Sequence, residues 1–188
     1  LPASGLVAWY PFTGNALDSS GNMNNATIHN AQLTADRFGN AASAYAVNDT
    51  SYLWGDCSSF PDTDRTISLW FYATNLSMGI SAYHIPFGYG GISCGQSWYE
   101  GLDTNVAFID GHCASFSILD SVHVPNNNWH NWIVAYSSQH ERFYFDGQKI
   151  LDTSFAIVPT YVSGKSYFIG GPPDPSGTYF YTDGNIGP

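Results

Sequence analysis

The sequence predicts an all-β protein folded as a two-sheet antiparallel sandwich, and three observations support this prediction. No helical hydrophobic period continues for more than about two turns. Short apolar or alternating runs recur instead, separated by Gly, Pro, Asn and Asp, which is the pattern of a sandwich or barrel. Aromatic residues make up 16% of the chain and charged residues only 11%, so large apolar side chains are available to fill a core between two sheets.

The N-terminal half contains four candidate strands. Apolar runs bounded by turn-forming residues predict strands at residues 6–12, 27–30, 43–54 and 66–72. The last of these alternates most clearly, which places Ile67, Leu69 and Phe71 on one face of the strand.

The C-terminal half contains five more candidate strands. They are predicted at residues 129–137, 141–145, 148–151, 166–170 and 178–181. The first is apolar on both faces, as expected for a central strand that is covered on both sides. Asp146-Gly147 predicts a tight hairpin, because this pair adopts the positive φ angles of a two-residue primed turn. No shift in composition marks a linker, so residues 1–188 are predicted to form a single domain.

Composition and charge exclude several classes of protein. A disordered chain has few aromatic residues and many charges, the opposite of what is seen here. Five Lys and Arg against 15 Asp and Glu give a net charge of −10, so no basic patch can form and no nucleic-acid partner is expected. The apolar runs are too short to cross a bilayer, so no membrane insertion is expected.

The chain has three cysteines, Cys57, Cys94 and Cys113. Their spacing does not match a structural zinc site. Two strands around a turn near residues 101–105 would bring Cys94 roughly opposite Cys113. We therefore predict a disulfide between them, which implies an oxidising compartment, and Cys57 is then left over. The alternative is three buried free thiols in a reduced protein.

Several motifs in a defined order resemble one known family. They are Trp9-Tyr10-Pro11-Phe12, Asp18-Ser19-Ser20-Gly21-Asn22, Asp36-Arg37-Phe38-Gly39-Asn40, Thr66-Ile67-Ser68-Leu69-Trp70-Phe71, Trp129-His130-Asn131 and Phe143-Tyr144-Phe145-Asp146-Gly147. Together they resemble the bacterial laminin-G-like, concanavalin A-like family. This resemblance implies a jelly roll of two antiparallel sheets, one of them concave. Residues 76–120 match poorly and are where function would have diverged.

The end of the chain departs from the family pattern. Family members continue after a Gly-x-Ile element into a long final strand, whereas here Asn185-Ile186 is followed only by Gly187-Pro188. The sequence therefore predicts a jelly roll that lacks the final family strand. Either the sequence is only part of a longer chain or the final strand is donated by another subunit. A missing strand would expose a sheet edge through which the chain could self-associate.

Catalytic motifs are missing from the sequence. The fold's glucanases carry a Glu-x-Asp-x-x-Glu strand, since retaining hydrolysis needs two neighbouring carboxyl groups. The only two glutamates, Glu100 and Glu141, do not form this pattern, and residues 100–103 are predicted to be a solvated turn. We therefore expect no enzymatic activity, although paired aspartates could still serve a glycosidase.

Two candidate sites remain. The oxygen-rich loop that contains Asp18 and Asn22 could hold calcium, since modules of this family often bind it, but Asp18 could instead cap its own turn. Aromatic and polar residues of the divergent middle could bind a sugar: Tyr83, Tyr89, Trp98, Tyr99, Asp110 and His112. The competing interpretation is that these aromatic residues pack in the core.

The sequence thus predicts a noncatalytic extracellular module that recognises a glycan or a cell-surface protein in adhesion. The alternative is a structural domain of a surface filament or adhesin that has no ligand. A glycoside hydrolase is the third hypothesis. Calcium is the one cofactor that the resemblance suggests.

Overall fold

The computed structural model describes residues 2, 4–48, 50–74, 83–91, 97–103, 106–110, 117–125, 127–154, 159–171 and 184–187. The described residues contain fourteen strands and no helix. The strands form two antiparallel sheets of seven strands each, which confirms the predicted all-β, two-sheet sandwich. Within the same ranges, no helix is long and apolar enough to span a membrane.

The strands follow one another along the chain in short segments. They are β1 Thr27–His29, β2 Gln32–Thr34, β3 Ala44–Val47, β4 Tyr52–Asp56, β5 Arg65–Ala73, β6 Tyr83–Gly90, β7 Ser97–Asp103, β8 Val106–Asp110, β9 Ser117–His123, β10 Trp129–Ser137, β11 His140–Phe145, β12 Gln148–Ser154, β13 Ser166–Ile169 and β14 Gly184–Gly187. Sheet 1 has the order β1-β4-β13-β6-β7-β8-β9, and sheet 2 has the order β12-β11-β10-β5-β14-β3-β2.

Three details of the strand prediction are wrong. Residues 6–12 form no strand. The run at 43–54 divides at a turn near Ser51 into β3 in sheet 2 and β4 in sheet 1, because the Asn48 side chain accepts hydrogen bonds from the turn. Residues 100–103 complete β7 instead of forming a turn. The strand predicted at 178–181 lies outside the described residues.

The core lies between the two sheets. Sheet 2 contributes Phe71, Trp132 and Phe143, and sheet 1 contributes Leu53 and Tyr167, all of them almost fully buried. Residues alternate between buried and half-buried along β10 and β11, so each strand presents one face to the core. The shared face predicted for Ile67, Leu69 and Phe71 on β5 is confirmed, and the structure shows that it faces this core.

Two further sequence predictions are confirmed by the backbone. Asp146 and Gly147 have φ angles of 47° and 77° and connect β11 to β12, as a two-residue primed turn requires. β7 and β8 pair as the expected hairpin, with Asp103 opposite Val106.

The last described residues occupy an interior position in sheet 2. β14 lies between β5 and β3, where Ile186 pairs with both Phe71 and Tyr45. Its register on β5 extends only from Ala73 to Trp70. Residues Gly184–Gly187 therefore already form a short strand at this position. That a longer final strand is missing stays a prediction.

Gly55 has no room for a side chain. A Cβ atom there would lie 2.6 Å from the ring of Tyr167, which crosses the strand at this point. We predict that Gly55→Ala lowers the free energy of unfolding by about 1–3 kcal/mol, as overpacking does, measured by urea denaturation.

A double mutant tests the cause of this destabilisation. Tyr167→Leu removes the ring that the new methyl group would meet, so Gly55→Ala should cost clearly less in the Tyr167→Leu background. Additive effects of the two substitutions would contradict the steric explanation.

Candidate functional site

One row of paired residues crosses the whole of sheet 1. From edge to edge it contains Thr27, Trp54, Phe168, Gly88, Tyr99, Asp110 and Ser117. Neighbouring strands lie about 4.8 Å apart, so the row is about 29 Å long. We call it the Trp54 row.

Trp54 and Phe168 project from the outer face of sheet 1. Their chain neighbours Leu53 and Tyr167 are completely buried in the core, and alternate residues of a strand point to opposite faces. Trp54 is 40% exposed, and Phe168 is half-buried. The outer face therefore carries an indole ring that a ligand can reach.

Two more rings extend this surface. His29 stacks on Tyr52 with ring centroids 4.6 Å apart, and Tyr52 meets Phe168 edge-on at 6.2 Å. We call His29, Tyr52, Trp54 and Phe168 the outer aromatic face. Grouped exposed rings of this kind commonly mark a binding surface.

A carboxylate and two glycines border these rings. Asp56 is exposed, two residues along β4 from Trp54, and accepts hydrogen bonds from the backbone N–H and hydroxyl of Ser58. Gly88 and Gly90 pair with Phe168 and Ser166, so β6 contributes no side chain at either position. Glycine within a strand is often found where another group approaches the backbone closely.

A family model described as the concanavalin A-like lectin/glucanases superfamily, of the laminin G type, matches residues 46–186. The chain belongs to this family. No curated protein sequence shows significant similarity to the laminin-G-like domain.

Several solved structures are similar to this laminin-G-like domain. Domain 4 of AbnA, a GH43 extracellular arabinanase from Geobacillus stearothermophilus solved in complex with arabinotriose, has a TM-score of 0.70 and 16% identity, over 96% of this chain and 88% of that chain. Domains LG4-5 of the mouse laminin alpha1 chain have a TM-score of 0.62 and 16% identity, over 83% of this chain and 44% of that chain. The CBM40 of the Ruminococcus gnavus IT-sialidase has a TM-score of 0.61 and 10% identity, over 77% of this chain and 86% of that chain. At such identities the likeness shows the fold.

The structure brings two of the predicted sugar-binding residues into the Trp54 row of the domain. Tyr99 pairs with Gly88 and Asp110 pairs with Tyr99. Tyr83 pairs with Asp103 at the opposite end of the β6–β7 ladder. His112 lies outside the described residues.

Tyr89 does not belong to the surface. It is 2% exposed, and its hydroxyl accepts a hydrogen bond from Arg65 at 2.5 Å and donates one to Pro61 O at 2.8 Å. Trp98 pairs with Tyr89 in the register of sheet 1, one position away from the Trp54 row. The competing interpretation, that aromatic residues of this region pack in the core, is therefore correct for Tyr89.

The sequence analysis missed Trp54, Phe168, Tyr52 and His29. The alternation of residues 52–56 and 166–169 was a usable signal, because it places Trp54 and Phe168 on the opposite face from Leu53 and Ile169. Periodicity alone could not show which of the two faces was solvent-exposed.

A second polar cluster lies inside the sandwich and is not accessible to a ligand. Arg65, Tyr136 and Glu141 follow one another across β5, β10 and β11, and all three are buried. Arg65 Nη1 donates to Thr160 Oγ1 at 2.8 Å. Both carboxyl oxygens of Glu141 lack a hydrogen-bond partner, and this side chain is 0% exposed. Burial raises the pKa of Glu141 to about 7, although the nearby charge of Arg65 acts in the opposite direction.

Glu141 should make the stability of the domain depend on pH. The unfolded chain ionises this carboxyl near its usual pKa of 4.5, whereas the folded domain holds the proton until about pH 7. Stability is therefore lost as the pH rises through this window, by about 3 kcal/mol. We expect Glu141→Gln to remove this loss. In denaturation experiments, the free energy of unfolding of the variant minus that of the wild type should therefore increase between about pH 4 and about pH 8.

A conservative variant provides the control for this pH effect. Glu141→Asp keeps a buried titratable carboxyl and should keep most of the pH dependence, whatever its effect on packing. If Glu141→Gln and the wild type differ by the same amount at every pH, Glu141 is not the responsible group.

The Asp18 loop holds its own backbone together. Asp18 Oδ1 accepts from the N–H groups of Trp9 and Ser20, and Oδ2 accepts from the Ser20 hydroxyl and the N–H of Asn24. Partial burial alone would raise the pKa of Asp18, but these hydrogen bonds outweigh it and lower the pKa. The Asn22 amide donates to Leu6 O at 2.7 Å.

This loop does not fit a calcium ion. Four donors surround the Asp18 carboxylate, whereas a cation would need those same oxygens as ligands. Among the described side chains, no three His, Cys, Asp or Glu come together as a metal-binding group. Calcium elsewhere in the domain stays a prediction.

Cys57 is buried beside Val162, and its Sγ lies 3.6 Å from Val162 O. Burial raises the pKa of its thiol to about 11, so it should not react in the folded domain. Cys94 and Cys113 lie outside the described residues, and their disulfide stays a prediction.

One thiol titration tests both the low reactivity of Cys57 and the predicted Cys94–Cys113 disulfide. We expect no reactive thiol in the native protein and one after denaturation without reductant, because only Cys57 is then free. Three thiols after denaturation would show that Cys94 and Cys113 are not bonded.

Proposed function

We propose that this laminin-G-like domain is a noncatalytic carbohydrate-binding module whose ligand rests on the outer aromatic face. The observation that carries the proposal is the exposed Trp54, which lies within a group of four rings. Asp110 and Tyr99 continue the same row of sheet 1. One face of a sugar ring presents C–H groups to an aromatic ring, and the sugar hydroxyls then reach hydrogen-bonding groups at the border of the aromatic face.

The composition of the surface supports a glycan over an apolar ligand. Small-molecule sites are mostly apolar and carry a few well-placed polar groups that fix orientation. Here the polar group beside the rings is the Asp56 carboxylate, which Ser58 holds in place through two hydrogen bonds. A carboxylate accepts hydrogen bonds only, and sugar hydroxyls donate them.

Two similar structures support this class of ligand. One is a domain solved with arabinotriose and another is the CBM40 of a sialidase. Both proteins are connected with carbohydrate, and we extend this class of ligand to the present domain as part of the proposal.

We propose binding without hydrolysis because the two glutamates are poorly placed for it. Glu141 lies inside the core without solvent exposure. Glu100 is on a different sheet, in β7, where it pairs with Phe87 and Ile109. Neither glutamate belongs to the Glu-x-Asp-x-x-Glu pattern with which the fold's glucanases supply the close carboxyl pair of a retaining glycosidase.

An extracellular location, and adhesion through surface glycans, are part of the same proposal. The low charge and the high aromatic content suit an extracellular β-rich protein, and the predicted Cys94–Cys113 disulfide requires an oxidising environment.

Substitution of the exposed indole tests the proposed function. Trp54→Ala should weaken binding to glycans found positive on an array by about tenfold or more, as loss of a central aromatic contact does. Binding can be measured by titration calorimetry.

Trp9→Ala is the matched control. Trp9 is 37% exposed, almost as much as Trp54, but lies in the N-terminal segment outside sheet 1. It should leave affinity unchanged. If Trp54→Ala and Trp9→Ala weaken binding equally, the proposed site is wrong. If no glycan on the array binds, the proposed function is wrong.

A further inference from the structure

The positive charges of the chain are distributed very unevenly over the sandwich. There are five Lys and Arg in the whole sequence, and every one of them lies in the described residues. They are Arg37, Arg65, Arg142, Lys149 and Lys165. Their positions therefore decide where a negatively charged ligand group could be held.

Three of the five cations belong to the opposite side of the sandwich. Lys149 Nζ lies 2.6 Å and Arg142 Nε 3.8 Å from Asp152 Oδ2 on sheet 2. The Arg37 guanidinium lies 4.2 Å from the ring centroid of Phe38 and 4.3 Å from that of Trp70 in β5. The core and both sheets separate these groups from the outer aromatic face.

The other two cations are also engaged away from that face. Arg65 is buried in the core, where it donates to the hydroxyls of Tyr89 and Thr160. Lys165 lies two residues before the inward-facing Tyr167 and so on the opposite face of the chain from Phe168, and its Nζ lies 5.4 Å from the ring centroid of Tyr161. Neither contact places a guanidinium or ammonium group against Trp54.

The described side chain that does bring a charge to this side is negative. Asp56 is exposed on β4, two residues from Trp54. Protein sites that bind a carboxylate or sulfate commonly use Arg or Lys for charge-assisted hydrogen bonds. A site whose charged groups are all carboxylates accepts hydrogen bonds from neutral hydroxyls and repels an anion.

We infer that the ligand of the outer aromatic face is a neutral glycan, without sialic acid, uronic acid or sulfate at the sugars that touch Trp54. This inference rests on the proposed function and specifies its ligand class. The fold does not decide the matter, because one fold can carry sites of different chemistry, and the CBM40 of a sialidase is among the similar structures. We base the choice of a neutral over an acidic glycan on the distribution of charge over this chain.

Matched glycan pairs test the inference. Binding of lactose is compared with that of 3′-sialyllactose, and carboxyl-reduced oligogalacturonate with oligogalacturonate, at low salt and about pH 8, well above the usual titration range of imidazole groups. For each pair that binds, the neutral member should bind about fivefold or more tightly, and added salt should narrow the difference.

A charge reversal strengthens the test. Asp56→Arg should shift the affinity ratio toward the acidic member by about tenfold, because it places a guanidinium two residues from Trp54. Asp64→Arg makes the same change in net charge near the start of β5 in sheet 2, and should leave the ratio near that of the wild type.

The outcomes separate the two proposals. The inference is supported if the neutral member of each pair binds more tightly and only Asp56→Arg shifts the affinity ratio toward the acidic member. Acidic members that bind equally or better in the wild type overturn it and leave the carbohydrate-binding function standing. If no glycan in these pairs or on a broad array binds, the proposed function fails and the inference fails with it.

Discussion

The packing of Tyr167 between the sheets determines the surface on the other side of sheet 1. Its ring crosses Gly55, the one position of β4 that could admit it, and stacks on Phe60 at 5.0 Å. Its hydroxyl donates to Asn24 O at 2.9 Å and accepts from the Tyr10 hydroxyl at 2.7 Å. Burial raises the pKa of Tyr167 to about 12, so the hydroxyl keeps its proton and remains a donor. Since side chains alternate along a strand, an inward Tyr167 requires an outward Phe168, and the pairing of β13 with β4 brings Phe168 beside Trp54.

The interior of the sandwich and its two outer surfaces carry different chemistry. Inside, a polar row that includes Arg65 and Glu141 interrupts a core of aromatic and aliphatic side chains, and the unpartnered carboxyl is a source of instability at neutral pH. The outer side of sheet 2 carries most of the positive charge. The outer side of sheet 1 combines exposed rings with the Asp56 carboxylate, and it is on this side that we propose the ligand binds.

Much of the fold could be predicted because the signals were local. The Asp146-Gly147 turn, the alternation of β5 and the apolar run of β10 each depend on a few adjacent residues, and all three appear in the structure. The division of residues 43–54 could not be predicted in the same way. Its two halves have similar composition, and only their pairing with β14 and β13 assigns them to different sheets.

The candidate site shows the same limit. Tyr99 and Asp110 were predicted from residue type and fall in the Trp54 row, but Tyr89, predicted in the same way, lies one register position from that row and is buried. The sequence by itself determined the all-β class, the family, the strong negative charge and the shortage of cations. Only the tertiary structure decided which aromatic residues face solvent and which charges lie near them. The physical reason is that strand register, set by contacts between residues far apart in the chain, assigns each side chain to the core or to the surface.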